Sequence, residues 1–160
     1  MQEKTIEVLI KAGWYPNRKI DISELLIHYE RKGFDMFPAA KKFIEEYGML
    51  NIYIEKSRPG VSDEYVERYK LEKFTLHTTD MTKFIITGLA SRSNVEKYEQ
   101  YIEEKLVLVG SLTDHHQDLM ISESGRMFTE FGFWGNSAEE FWDRLIDGVG
   151  CTNWEAWDGW

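Results

Sequence analysis

Asp114-His115-His116-Gln117-Asp118 is the one run of this chain in which imidazoles and carboxylates crowd together. Such groups ligate divalent metals and relay protons, so His115, His116 and Asp118 could serve a small metal-dependent hydrolase. Neighbouring histidines, however, point in different directions on a helix and on a strand alike, whereas a metal needs converging donors. His28 and His77 stand apart with no ligand spacing. The commoner reading of such a run is a solvated connection, so no metal site and no cofactor is expected. Cys151, the single cysteine, becomes a nucleophile only beside a base, and no motif supplies one. A phosphate-cradling Gly-Lys-Ser/Thr loop, a paired glycine-rich turn and a nucleophile elbow are all missing from the sequence. These residue types speak against an enzyme and leave no catalytic residue to assign.

Chemistry suited to binding is better represented. The chain carries 28 acidic and 19 basic residues, a formal net charge of -9. That balance disfavours direct contact with a phosphate backbone and complements a basic partner. The acids gather late: Glu130, Glu139, Glu140, Asp143, Asp147, Glu155 and Asp158 stand against Arg144 alone. Trp154, Trp157 and Trp160 recur every three residues among them. These rings either fold back over the sheet or last helix, or form an aromatic anchor ringed by acids that steer a basic surface. Glu139, Glu140, Asp143 and Asp147 with Trp154 and Trp157 are the candidate partner-binding residues. Glu96, Glu99, Glu103 and Glu104 with Tyr98 and Tyr101 offer a similar pattern, more often a plain solvated helix face.

The elements that would position these groups can be read from periodicity. At 160 residues the chain suits one domain over 1–160, with residues 150–160 a Trp-rich tail. The N-terminus lacks the basic and apolar regions of a secretory signal, and no apolar run approaches the ~20 residues needed to span a bilayer. The expectation is a cytoplasmic protein away from membranes, in keeping with one unpaired cysteine.

Ile6, Leu9 and Ile10 predict a helix face ending at Gly13. A second helix follows Asp21 and Glu24, whose spacing resembles a capping box, with Ile22, Leu25, Leu26 and Tyr29 inward and Gly33 after it. A third opens near Pro38, aligns Ala40, Phe43, Ile44 and Tyr47, and stops at Gly48. The period then falls to 2 at Leu50, Ile52 and Ile54, and again at Phe74, Leu76 and Thr78, with Phe84-Ile85-Ile86-Thr87 read as a further strand. Asn94 is placed to cap a helix bearing Val95, Tyr98, Tyr101 and Ile102; Leu106 to Gly110 reads as a buried strand. Leu119–Ile121 and Met127–Thr129 flank a hairpin connection. Ser137 with Glu140 opens a last helix carrying Phe141, Trp142, Leu145 and Ile146 and ending at Gly148. The class is α+β: N-terminal helices and a C-terminal helix packed on a mostly antiparallel sheet.

Between the first two helices lies Gly13-Trp14-Tyr15-Pro16-Asn17-Arg18. Tryptophan and proline fix a tight corner while the arginine reaches carbonyls or a carboxylate, so Gly13, Trp14, Pro16 and Arg18 form a structural signature, with Trp14 in the core. This turn resembles the SUKH superfamily, and within it the third subfamily of bacterial immunity proteins. The resemblance also rests on Phe43-Ile44-Glu45-Glu46-Tyr47-Gly48-Met49-Leu50, on Val109-Gly110 and on Gly135-Asn136-Ser137. It implies helices packed on a sheet and a protein that binds and neutralises a cognate polymorphic toxin, often a nuclease. Proteins resembling the superfamily also serve as intracellular interaction or regulatory modules. The tail from Cys151 to Trp160 departs from the pattern, and the resemblance carries no catalytic set.

Overall fold

The computed structural model describes residues 1–159; Trp160 lies outside the described residues. In chain order the elements are α1 (Glu3–Lys11), α2 (Ser23–Arg31), α3 (Pro38–Tyr47), β1 (Asn51–Glu55), α4 (Asp63–Arg68), β2 (Phe74–Thr78), α5 (Thr82–Thr87), α6 (Ser93–Ile102), β3 (Leu106–Leu112), β4 (Gln117–Ser122), β5 (Met127–Thr129), β6 (Gly132–Gly135), α7 (Ala138–Ile146) and β7 (Thr152–Asn153). The strands form one antiparallel sheet whose spatial order is β1 to β7, the order of the chain. The fold is α+β, as the periodicity predicts.

Proline at the first turn opens α3, and Ala40, Phe43, Ile44 and Tyr47 are all buried along it. The same stripe logic holds for α7, where Phe141, Trp142, Leu145 and Ile146 face inward. Every residue of β3 is buried: α3 and α6 both pack against it, and β2 and β4 flank it. Between Leu108 and Gly110 the β3–β4 register shifts. Gly110 sits where a Cβ would lie 2.9 Å from the Thr78 carbonyl oxygen. Only glycine lets β2 cross so close, and β2 touches β3 there, at Thr78↔Ser111.

Four local expectations are corrected. Phe84 to Thr87 is helix α5, not strand: Asp80 Oδ1 accepts the Thr82 N–H at 3.1 Å, and Gly88 closes the segment with φ 84°. Ile85 is buried and Ile86 exposed, a one-sided burial that a short apolar run does not reveal in sequence. In α1 the inward pair is Thr5 and Leu9, and Ile10 is 52% exposed. Thr5 wins that face because its hydroxyl donates to Asp143 Oδ1 at 2.6 Å.

Asp21 makes no capping box; its Oδ1 accepts from Ser23 N–H at 2.9 Å in a turn ahead of α2. Asn94 lies inside α6, and its Oδ1 accepts from Ser91 N–H at 3.1 Å. Three elements went unread. Helix α4 is capped by Ser62 Oγ, which accepts the Tyr65 N–H at 3.1 Å. Strands β6 and β7 are the others, too short to show alternation.

Candidate functional site

The histidine run forms the β3–β4 turn, with Thr113, Asp114 and His115 at φ 53°, 53° and 69°. Asp and His tolerate that left-handed region better than most side chains. Most polar groups there are tied to the turn or to the strands beside it; Gln117 Oε1 is buried without a hydrogen-bond partner. Asp114 Oδ1 accepts the Leu76 N–H at 2.9 Å, and its Oδ2 faces Lys56 Nζ at 3.5 Å. His116 Nδ1 donates to the Thr113 carbonyl at 2.7 Å, and His115 packs its ring 5.3 Å from Phe84. The Asp118 N–H donates to Glu130 Oε2 at 2.8 Å. Among the described residues no three His, Cys, Asp or Glu side chains converge as ligands. Burial raises the Cys151 thiol pKa, which keeps it protonated and a poor nucleophile.

His77, isolated in the sequence, reaches this turn from β2. It is 6% exposed, and its Nδ1 accepts the Thr113 N–H at 3.1 Å. Burial pulls its pKa down to about 4, against the opposing pull of Asp114. The unfolded chain therefore binds the proton first, near pH 6.5. Stability is full above that value and falls as pH drops toward 4, by up to about 3 kcal/mol. His77→Gln is expected to flatten this stretch of a denaturant-midpoint profile between pH 7 and 4.5. A profile equally steep in the variant rules His77 out as its source.

The acids of α7 divide by duty. Asp143 Oδ1 accepts from Gln2 N–H at 2.9 Å and from Thr5, bracing α1 against α7. Glu140 Oε2 accepts the Asn136 N–H at 2.8 Å while Ser137 Oγ accepts the Glu140 N–H at 3.2 Å, a reciprocal cap. Glu139 and Asp147 are exposed. Arg144, the one base of this region, donates to the Gly150 carbonyl and to Thr152 Oγ1, each at 3.1 Å, and so folds the tail back. Glu99 of α6 pairs with Arg92, and Glu104, beyond the end of that helix, pairs with Arg126. Those two carboxylates are therefore spent within the chain.

Trp154 and Trp157 fold back over the end of the sheet. Trp157 is 7% exposed and stacks on Phe133 at 5.5 Å, beneath the Arg126 guanidinium. Trp154 is half-buried, stacks between Phe128 and Tyr98, and donates Nε1 to the Glu130 carbonyl at 2.8 Å. Covering the sheet end buries far more ring area than display would, and that outweighs presentation. The third tryptophan, Trp160, lies outside the described residues.

At the other end, the Gly13–Arg18 turn pins α1 to α3. Trp14 is buried and stacks on Tyr47 at 6.2 Å with 8° between planes. Arg18, also buried, donates Nη1 to the Glu46 carbonyl at 2.8 Å; Pro16 stays on the outside of the corner. Gly13 takes φ 104°, which favours glycine. Desolvation lowers the Arg18 pKa without threatening its charge.

Behind this stack, α3 and the start of α7 leave a cleft of about 240 Å³ lined by Lys42, Phe43, Glu46, Tyr47, Ser137 and Glu139. Tyr47 is 1% exposed, and its hydroxyl has no hydrogen-bond partner of acceptable geometry. Burial, with Glu46 and Glu139 close by, drives its pKa upward, so it keeps its proton. Sequence reading assigned Tyr47 to the apolar stripe and gave Glu46 only as part of the Phe43–Leu50 motif. The available signal was the pair itself, a hydroxyl on a buried stripe beside a carboxylate.

The family described as SUKH-3 immunity protein matches residues 1–148, ending just before the Arg144-anchored tail. No curated protein and no solved structure matches the chain. A match over nearly the whole length, from the first helix through the last, places the chain in the SUKH-3 immunity protein family.

Proposed function

We propose that this chain is a cytoplasmic, non-catalytic inhibitor that binds a cognate toxin domain one to one and covers its active site or substrate path. Membership of an immunity protein family over residues 1–148 is the observation that carries the reading. Charge gives the partner its character. A surface of net charge -9 is repelled by nucleic acid but complements the basic groove with which a nuclease holds phosphates. Exposed Glu139 and Asp147 on α7 are the members of the acidic set left to meet such a partner.

The test is growth rescue and co-purification with the C-terminal domain encoded by the neighbouring gene. Rescue with a stable complex supports immunity by direct binding. Toxicity that the chain cannot relieve, with no complex, overturns it. In a complex that forms, the association rate is expected to fall about tenfold or more between ~0.02 and ~0.5 M salt, because steering by exposed charges is screened. A rate indifferent to salt removes electrostatic attraction from the account.

A further inference from the structure

The cleft between α3 and α7 has the features of a receptor for one side chain. Its volume of about 240 Å³ falls below the range typical of cofactor and drug-sized sites. Glu46 enters from α3 and Glu139 from α7, with Lys42 the only cation among its lining residues, so its walls carry net negative charge. The Tyr47 hydroxyl is buried beside them without a partner. Phe43 and Tyr47, both buried, form the apolar floor of the cleft.

Resting on the immunity reading, we infer that this cleft seats an arginine side chain projected by the toxin domain. Guanidinium fits better than ammonium, because its planar fork of five donors reaches two carboxylates and a hydroxyl oxygen at once, whereas lysine offers three donors from a point. Tyr47 then accepts from the guanidinium and turns its own O–H toward a carboxylate. The hydroxyl, unpaired in the free chain, becomes paired in the complex.

Two measurements test this. In the first, the free chain is titrated with N-acetyl-arginine methylamide and, separately, with its uncharged citrulline counterpart, followed by amide NMR. Saturable shifts at Ser124, Gly125, Ser137 and Glu139, with a dissociation constant on the order of millimolar, are expected from arginine alone. Glu139→Gln and Tyr47→Phe are expected to weaken them severalfold. Equal shifts from citrulline, or arginine shifts spread over Glu96 and Glu103 instead, overturn the inference.

In the second, affinity for the neighbouring toxin domain is measured. Tyr47→Phe and Glu139→Gln are expected to weaken it about tenfold each, with Glu96→Gln unchanged. Tyr47→Phe also keeps a melting temperature at or above that of the parent, since it removes only an unpaired hydroxyl. A complex as tight in the cleft variants as in the parent overturns the cleft while immunity stands. A chain that forms no complex overturns immunity, and the arginine titration then decides the cleft by itself.

Discussion

Trp142→Ala is expected to destabilise the chain by about 3–5 kcal/mol, seen as a lower denaturant midpoint at an unchanged slope. Trp142 is 0% exposed and is the joint between the two helices that flank the cleft. Its ring stacks on Phe43 at 6.4 Å and packs against Tyr47 at 5.6 Å and Phe141 at 4.7 Å. Removing the indole leaves a void bounded by three other rings, which are braced by the Trp14 corner and cannot collapse into it. Trp142→Phe is expected to cost far less, about 1 kcal/mol, because the Nε1–H it also removes has no partner. Should Trp142→Ala cost under about 1 kcal/mol, α3 and α7 are not joined through this stack.

Gly132→Ala is expected to release the tail. Gly132 has φ 151°, and a Cβ there would lie 2.0 Å from the Thr152 carbonyl oxygen and 2.8 Å from Asn153 Cα. Neither is a flexible side-chain end. The ladder at Gly132↔Asn153 and Phe133↔Thr152 must therefore part, at a cost of about 2–4 kcal/mol. Hydrogen exchange at Thr152 and Asn153 reads this directly, together with a red shift of tryptophan emission as Trp154 and Trp157 meet water. Gly148→Ala is the control: it too has a positive φ, 72°, but open space around it, so its cost is the backbone term of about 1 kcal/mol. Parent-like protection at Thr152 in the Gly132 variant means the tail is held by other contacts.

The elements that a single stretch of sequence determines were legible. Pro38, the four-residue stripe of α3 and the alternation at Leu50, Ile52 and Ile54 each carry their own period. What depended on distant partners was not. Phe84 to Thr87 is too short for its period to declare itself, and the Asp80 turn and the packing on α2 decide in favour of helix. The spacing of Trp154 and Trp157 suits a display patch and a docked turn equally; Phe128 and Phe133, more than twenty residues away, settle it. The cleft was the least visible feature. It exists because α3, α7 and the β4–β5 turn meet around one hydroxyl, and no local pattern records that meeting.

A sheet whose spatial order copies its chain order has a kinetic consequence. Each strand finds its neighbour in the segment just before it, so no strand must be threaded between two already paired ones. The loops closed from β3 to β6 are short, and their entropic cost is small. The chain can zip from the β3–β4 ribbon outward, with β7 arriving last to seal the end. Pairing is local from β3 to β6, and the expected result is prompt formation of that ribbon.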